Sequence, residues 1–145
     1  MRQILICILV VCMTACSGTI STISGEDGAP AKAYILSNEA ADRLIHSAMT
    51  SEFADKDIKP VSDPYPGYAA EVAWGVLDSD TVTAYYRKVK AVDSEGKSVT
   101  AVVFLVKHYG TAPASGIPTS ERLLKRIVSD AELLVEGVDF SHFVD

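Results

Sequence analysis

Ala91, Gly96, Lys97 and Ser98 stand at the spacing of the loosest phosphate-binding loop: a small residue, four positions, then Gly-Lys-Ser. Such a loop holds phosphate on backbone N–H groups at the start of a helix that follows a strand. Here Ser98 leads instead into Val-Thr-Ala-Val-Val-Phe-Leu-Val, a β-branched and aromatic run that reads as a strand. Asp93 and Glu95 also put two carboxylates where phosphate charge would have to settle. The stretch is therefore expected to be a hairpin turn, with Gly96 free to take a positive φ, and no nucleotide is expected to bind.

Asp78-Ser79-Asp80-Thr81-Val82 resembles the loop of haloacid-dehalogenase-type phosphatases, in which Asp78 would be the nucleophile and Asp80 the acid. That chemistry needs magnesium held by later acidic residues, on a parallel sheet with crossover helices. Fewer than 70 residues follow, and they read as a hairpin and one helix. An Asp- and Ser-rich turn is the expected role. His46, His108 and His142 fall in three different elements without metal-ligand spacing, and His46 and His108 read as solvent-facing. Ser115-Gly116 lacks the strand and elbow glycine of a serine hydrolase. No catalytic residue, metal or cofactor is expected.

The leader carries a clearer message. Met1-Arg2-Gln3 places one positive charge before an apolar run from Ile4 to Cys12, too short to span a bilayer as a helix. This is the layout of a secretory signal peptide. Met13-Thr14-Ala15-Cys16 then resembles the lipobox of bacterial lipoproteins, with small Ala15 before the cysteine and Met13 in place of the usual Leu. The resemblance covers residues 1–16 only and implies cleavage before Cys16, which would carry a diacylglyceryl thioether and an N-linked fatty acid such as palmitate. Several acyl chains give stable anchoring where one does not. Ser17, rather than Asp, follows the cysteine, and by the family's sorting rule this implies the outer membrane, facing the periplasm. Cys7 and Cys12 would leave with the leader, so no disulfide, zinc-thiolate site or free thiol is expected in the mature chain.

The expected layout is a signal peptide over 1–15, a lipidated flexible tether over 16–32, and one domain over 33–145. The tether is rich in Ser, Thr and Gly and could extend about 50 Å. In the domain, Ala41, Leu44, Ile45, Ala48 and Met49 make one face of a helix capped by Ser37 or Asn38. Ala70, Val72, Trp74 and Val76 alternate as a strand, and two more strands flank the 93–97 turn, with a bulge expected near Arg87 and Lys88. A loop over 110–119 should lead to a helix capped by Thr119 or Ser120, burying Leu123, Leu124, Ile127, Val128, Ala131 and Leu134. The fold class is α+β: a two-layer sandwich of helix, three-stranded antiparallel meander and helix.

The formal net charge is −6, and loss of Arg2 makes the mature chain more acidic, so nucleic-acid binding is not expected. Two loops suit recognition. Asp63-Pro64-Tyr65-Pro66-Gly67-Tyr68 offers Tyr65 and Tyr68 held by prolines, and rigid aromatics lose little side-chain entropy on binding. The 110–119 loop is the other. The expected function is a membrane-anchored, non-catalytic binding or accessory module for another envelope component, with an envelope protein as the expected partner; a small periplasmic hydrolase or small-ligand binder is the alternative.

Overall fold

The computed structural model describes residues 19–23, 32–61, 65, 67–74, 79–110 and 113–144; Cys16, Pro64, Pro66, Val76 and Asp78 lie outside them. The element order is β1 (Thr19–Ile23), α1 (Asn38–Glu52), β2 (Lys59–Val61), β3 (Ala69–Trp74), β4 (Asp80–Val92), β5 (Ser98–Gly110), α2 (Pro113–Glu132) and β6 (Phe140–Phe143). The fold is α+β. Its antiparallel sheet runs β1-β5-β4-β3-β2, with β6 also pairing with β4. The expected meander is thus β3-β4-β5, the middle of a larger sheet. Among the described residues, no helix is long and apolar enough to cross a membrane.

β4 and β5, each 13 residues long, form a hairpin in unbroken register from Asp80↔Gly110 to Val92↔Ser98. No extra residue occurs at Arg87 or Lys88, where a bulge was expected. Arg87 stays in step because its guanidinium lies 4.1 Å from the centre of the Phe143 ring, a cation–π contact that accommodates the charge. The irregularity falls instead between Lys90 and Ala91, where β6 pairs with β4.

Alternation in this hairpin builds two apolar faces. Val82, Ala84, Tyr86, Val102, Phe104 and Val106 meet Ile45, Met49, Leu123 and Ile127 from the two helices. The opposite parity, Tyr85, Val89, Ala101, Val103 and Leu105, forms a second cluster with Val61, Tyr65 and Phe143 packed on it. Each fully buried Leu or Ile contributes on the order of 2 kcal/mol, so these faces hold the sheet and helices together.

α1 begins as its sequence dictates: the Ser37 side chain accepts from Ala40 N at 3.2 Å. α2 does not. It starts at Pro113, so most of the expected 110–119 loop is helix, with Pro118 inside it. Proline needs no N–H in a helix's first turn, and Pro113 is tolerated there. Leu134, expected on the buried face, lies past the helix end and is 60% exposed. Three strands escaped the sequence reading: β1, β2 and β6. β1 lies within the Ser/Thr-rich stretch read as tether, where Thr-Ile-Ser-Thr-Ile is rich in β-branched residues.

The turn at 93–97 is as expected, with Gly96 at φ 79°. Asp93 Oδ1 accepts from the backbone N–H of Glu95 at 3.0 Å and of Lys97 at 2.9 Å, so this carboxylate organises the turn. The exposed Lys97 side chain has no such role. Asp93→Ala should cost about 1 kcal/mol and Lys97→Ala under about 0.5 kcal/mol in urea unfolding. A thermal shift with magnesium nucleotide that vanishes in Lys97→Ala would overturn the turn assignment.

Candidate functional site

On the sheet face turned away from the helices, β3, β4 and β5 line a hollow of ≈ 330 Å³ together with Tyr65. Its other walls are Glu71, Thr81, Thr83, Lys107 and Tyr109. Register explains the assembly: Glu71, Thr83 and Lys107 stand in one row across three strands, and Thr81 and Tyr109 in the next. Opposed side chains in an antiparallel sheet lie about 5 Å apart, so five residues distant in sequence converge on one spot.

Thr83 Oγ1 donates to Glu71 Oε2 at 3.0 Å, fixing the carboxylate at one side. Lys107 Nζ lies 5.2 Å from the centre of the Tyr85 ring, placing an ammonium at the other. Tyr85 also receives the Tyr65 ring, centroid to centroid 4.4 Å. Tyr109 is 52% exposed at the rim. The hollow therefore presents an acceptor, a cation, two hydroxyls and two aromatic walls. That set can hold a ligand with both polar ends and an apolar body.

Tyr65 and Tyr68, expected to act together, sit on different faces. Tyr68 packs against the helix-side cluster, with its hydroxyl 3.1 Å from His46 Nδ1. One helical turn earlier, Asp42 accepts from the Tyr86 hydroxyl. Burial first, and then the Asp42 carboxylate, push the Tyr68 and Tyr86 phenols above the usual tyrosine range, so both remain donors. A Cβ at Gly67 would collide with the Tyr86 ring and hydroxyl, which makes glycine necessary between the two tyrosine faces.

His108, expected to face solvent, is fully buried because even-numbered positions of β5 point to the helices. Its Nε2 lies 3.0 Å from Asp80 Oδ1, and the carboxylate's second oxygen accepts from Ser79 Oγ at 3.0 Å. Asp80 is itself 2% exposed. Trp74 stacks on the imidazole at 6.1 Å. Two glycines make room: a Cβ at Gly110 would strike the Asp80 carboxylate, and one at Gly116 the His108 ring. Ser120 Oγ donates to Gly116 O at 2.9 Å, closing the α2 side. A His–Asp pair is the base-and-orienter half of a hydrolytic triad. Here it is walled in by Trp74 and Gly116, and His108 Nδ1 has no hydrogen-bond partner among the described residues. The arrangement ties β4, β5 and α2 together.

A second hollow, ≈ 570 Å³, lies at the turn end of the hairpin among Lys32, Asp93, Glu136 and Asp139. Lys32 Nζ and Asp139 Oδ1 pair there at 2.5 Å. No group of three His, Cys, Asp or Glu among the described residues could hold a metal ion. The sequence pointed to Tyr65 but missed Glu71, Thr81, Thr83, Lys107 and Tyr109, whose only signal is strand alternation plus a register fixed by folding. No protein-family model matches the chain, and no curated protein matches it either.

Proposed function

We propose that this protein is a lipid-anchored envelope module, held in the outer membrane through Cys16, that binds another envelope protein and performs no chemistry of its own. The domain would be a two-layer sandwich whose helix-free face does the binding. The observation that carries the reading is the hollow of Tyr65, Glu71, Thr81, Thr83, Lys107 and Tyr109, which joins rigid aromatics to a fixed carboxylate and a cation. An exposed polypeptide segment offers matching chemistry, since it has amide donors and acceptors, charged side chains and apolar stems.

Two measurements test it. Mass spectrometry of the mature N-terminus should show an acylated Cys16, and Cys16→Ser should move the protein to the soluble fraction; an unmodified terminus removes the anchor. Crosslinked partners co-purified from intact envelopes should fall at least about tenfold for Tyr65→Ala with Tyr109→Ala, as for an interface hot spot. Tyr68→Ala, on the other face, should leave capture unchanged. Undiminished capture by the Tyr65, Tyr109 variant excludes the hollow as the binding site.

A further inference from the structure

We propose that the domain stands end-on against the bilayer, with the sheet end formed by Trp74, Asp80, Gly110 and Thr19 at the lipid headgroups; this rests on the lipidation of Cys16 proposed above. The partner surface is the headgroup layer of the membrane that carries the anchor.

Chain length carries the argument. β1 begins at Thr19, and Thr19 pairs with Gly110 at the open end of the long hairpin. Only Ser17 and Gly18 separate it from Cys16. Three residue steps span at most about 10 Å even when fully extended. A tether that was free to Lys32 would reach several times farther, so pairing of β1 shortens the leash to less than the thickness of the domain.

Register then identifies which end is held. Trp74↔Asp80 and Asp80↔Gly110 place the ends of β3, β4 and β5 in one row with Thr19. Tyr109 sits one position in from that row and is half exposed on the helix-free face, and Trp74, in the row itself on the helix side, is partly buried. Aromatic side chains of this amphipathic kind favour the headgroup level of a membrane. The turn at 93–97 lies at the other end, about 40 Å away along 13 residues of strand.

The hollow is also placed by this orientation: Thr81 and Tyr109, next to the end row, form its membrane-side wall. Its ligand would be met close to the bilayer rather than deep in the periplasm.

The mature chain would have no free thiol, so single cysteines can be labelled cleanly. The acylated protein is placed in vesicles of phosphatidylethanolamine and phosphatidylglycerol doped with a headgroup-nitroxide lipid, carrying a fluorophore at Asp55→Cys or at Ser94→Cys. Asp55 follows Phe53, whose ring stacks on Trp74 at 6.3 Å, so it reports the membrane end; Ser94 reports the turn. With the two ends about 40 Å apart, quenching should be at least about fivefold greater at Asp55→Cys. Inserting about twelve Gly/Ser residues between Gly18 and Thr19, which adds about 40 Å of reach, should abolish most of that contrast. Equal quenching at the two sites in vesicles that the protein floats with overturns the end-on orientation and leaves the anchor standing. A contrast that survives the insertion overturns the short leash as its cause. Failure to float, with Cys16 unmodified, overturns the anchor and the orientation together.

Discussion

Asp80→Ala should destabilise the domain by about 3 kcal/mol or more, the range for removing one partner of a buried hydrogen-bonded pair. Three consequences add. His108 Nε2 loses its acceptor while remaining fully buried, Ser79 Oγ loses another, and a carboxylate-sized space opens over Gly110. Since Nδ1 already lacks a partner, the substituted protein would bury an imidazole with no hydrogen bond at either nitrogen. Asp80→Asn keeps an oxygen at hydrogen-bonding distance and should recover about half of the loss. Urea unfolding followed by Trp74 fluorescence reads the effect directly, because the indole stacks on the imidazole. A loss under about 1 kcal/mol for Asp80→Ala would show that the pair does not brace β4 against β5.

The second large effect reverses a familiar sign. In an exposed helix interior, Gly→Ala stabilises by about 1 kcal/mol, because glycine loses more backbone entropy on folding. Gly116 lies within α2, yet a Cβ there would stand well inside contact distance of three atoms of the His108 ring. The ring cannot retreat, with Trp74 on its face and Asp80 at its edge. Overpacking of this kind costs about 1–3 kcal/mol, so Gly116→Ala should lower stability by about 1–2 kcal/mol net, and Gly116→Val by more. Combined with His108→Ala, Gly116→Ala should become neutral or favourable, because the atoms it strikes are gone. Additive losses in that double-mutant cycle would place the damage elsewhere.

This same corner marks the limit of what the sequence discloses. α1 was legible because Ser37, the apolar spacing from Ala41 to Met49 and the charged opposite face all agree. The β4–β5 hairpin was legible because Asp93 and Gly96 satisfy the turn that its flanking strands require. The first turns of α2 were not. Pro113, Gly116 and Pro118 are poor helix formers, and the helix is held there by tertiary contact with His108 and by the Ser120 hydroxyl. β1 and β6 are short, and their identity lies in partners far away in the chain, β5 and β4. The hollow was legible only at Tyr65, since alternation tells which residues share a face but not which strands stand side by side.

The two ends of the strand order differ in one further respect. β2 is three residues long and includes Lys59 and Pro60, a charge and a missing N–H that discourage an added strand. β1 has neither charge nor proline over Thr19–Ile23, and among the described residues no strand covers its outer side. Of the two ends of that order, β1 is therefore the receptive one. A molecule with two receptive ends can add copies without limit and becomes a filament, whereas one with a single receptive end is used up by its first pairing. Should two copies meet along β1, that edge of each would be closed by the other, and growth through β1 would stop at the dimer.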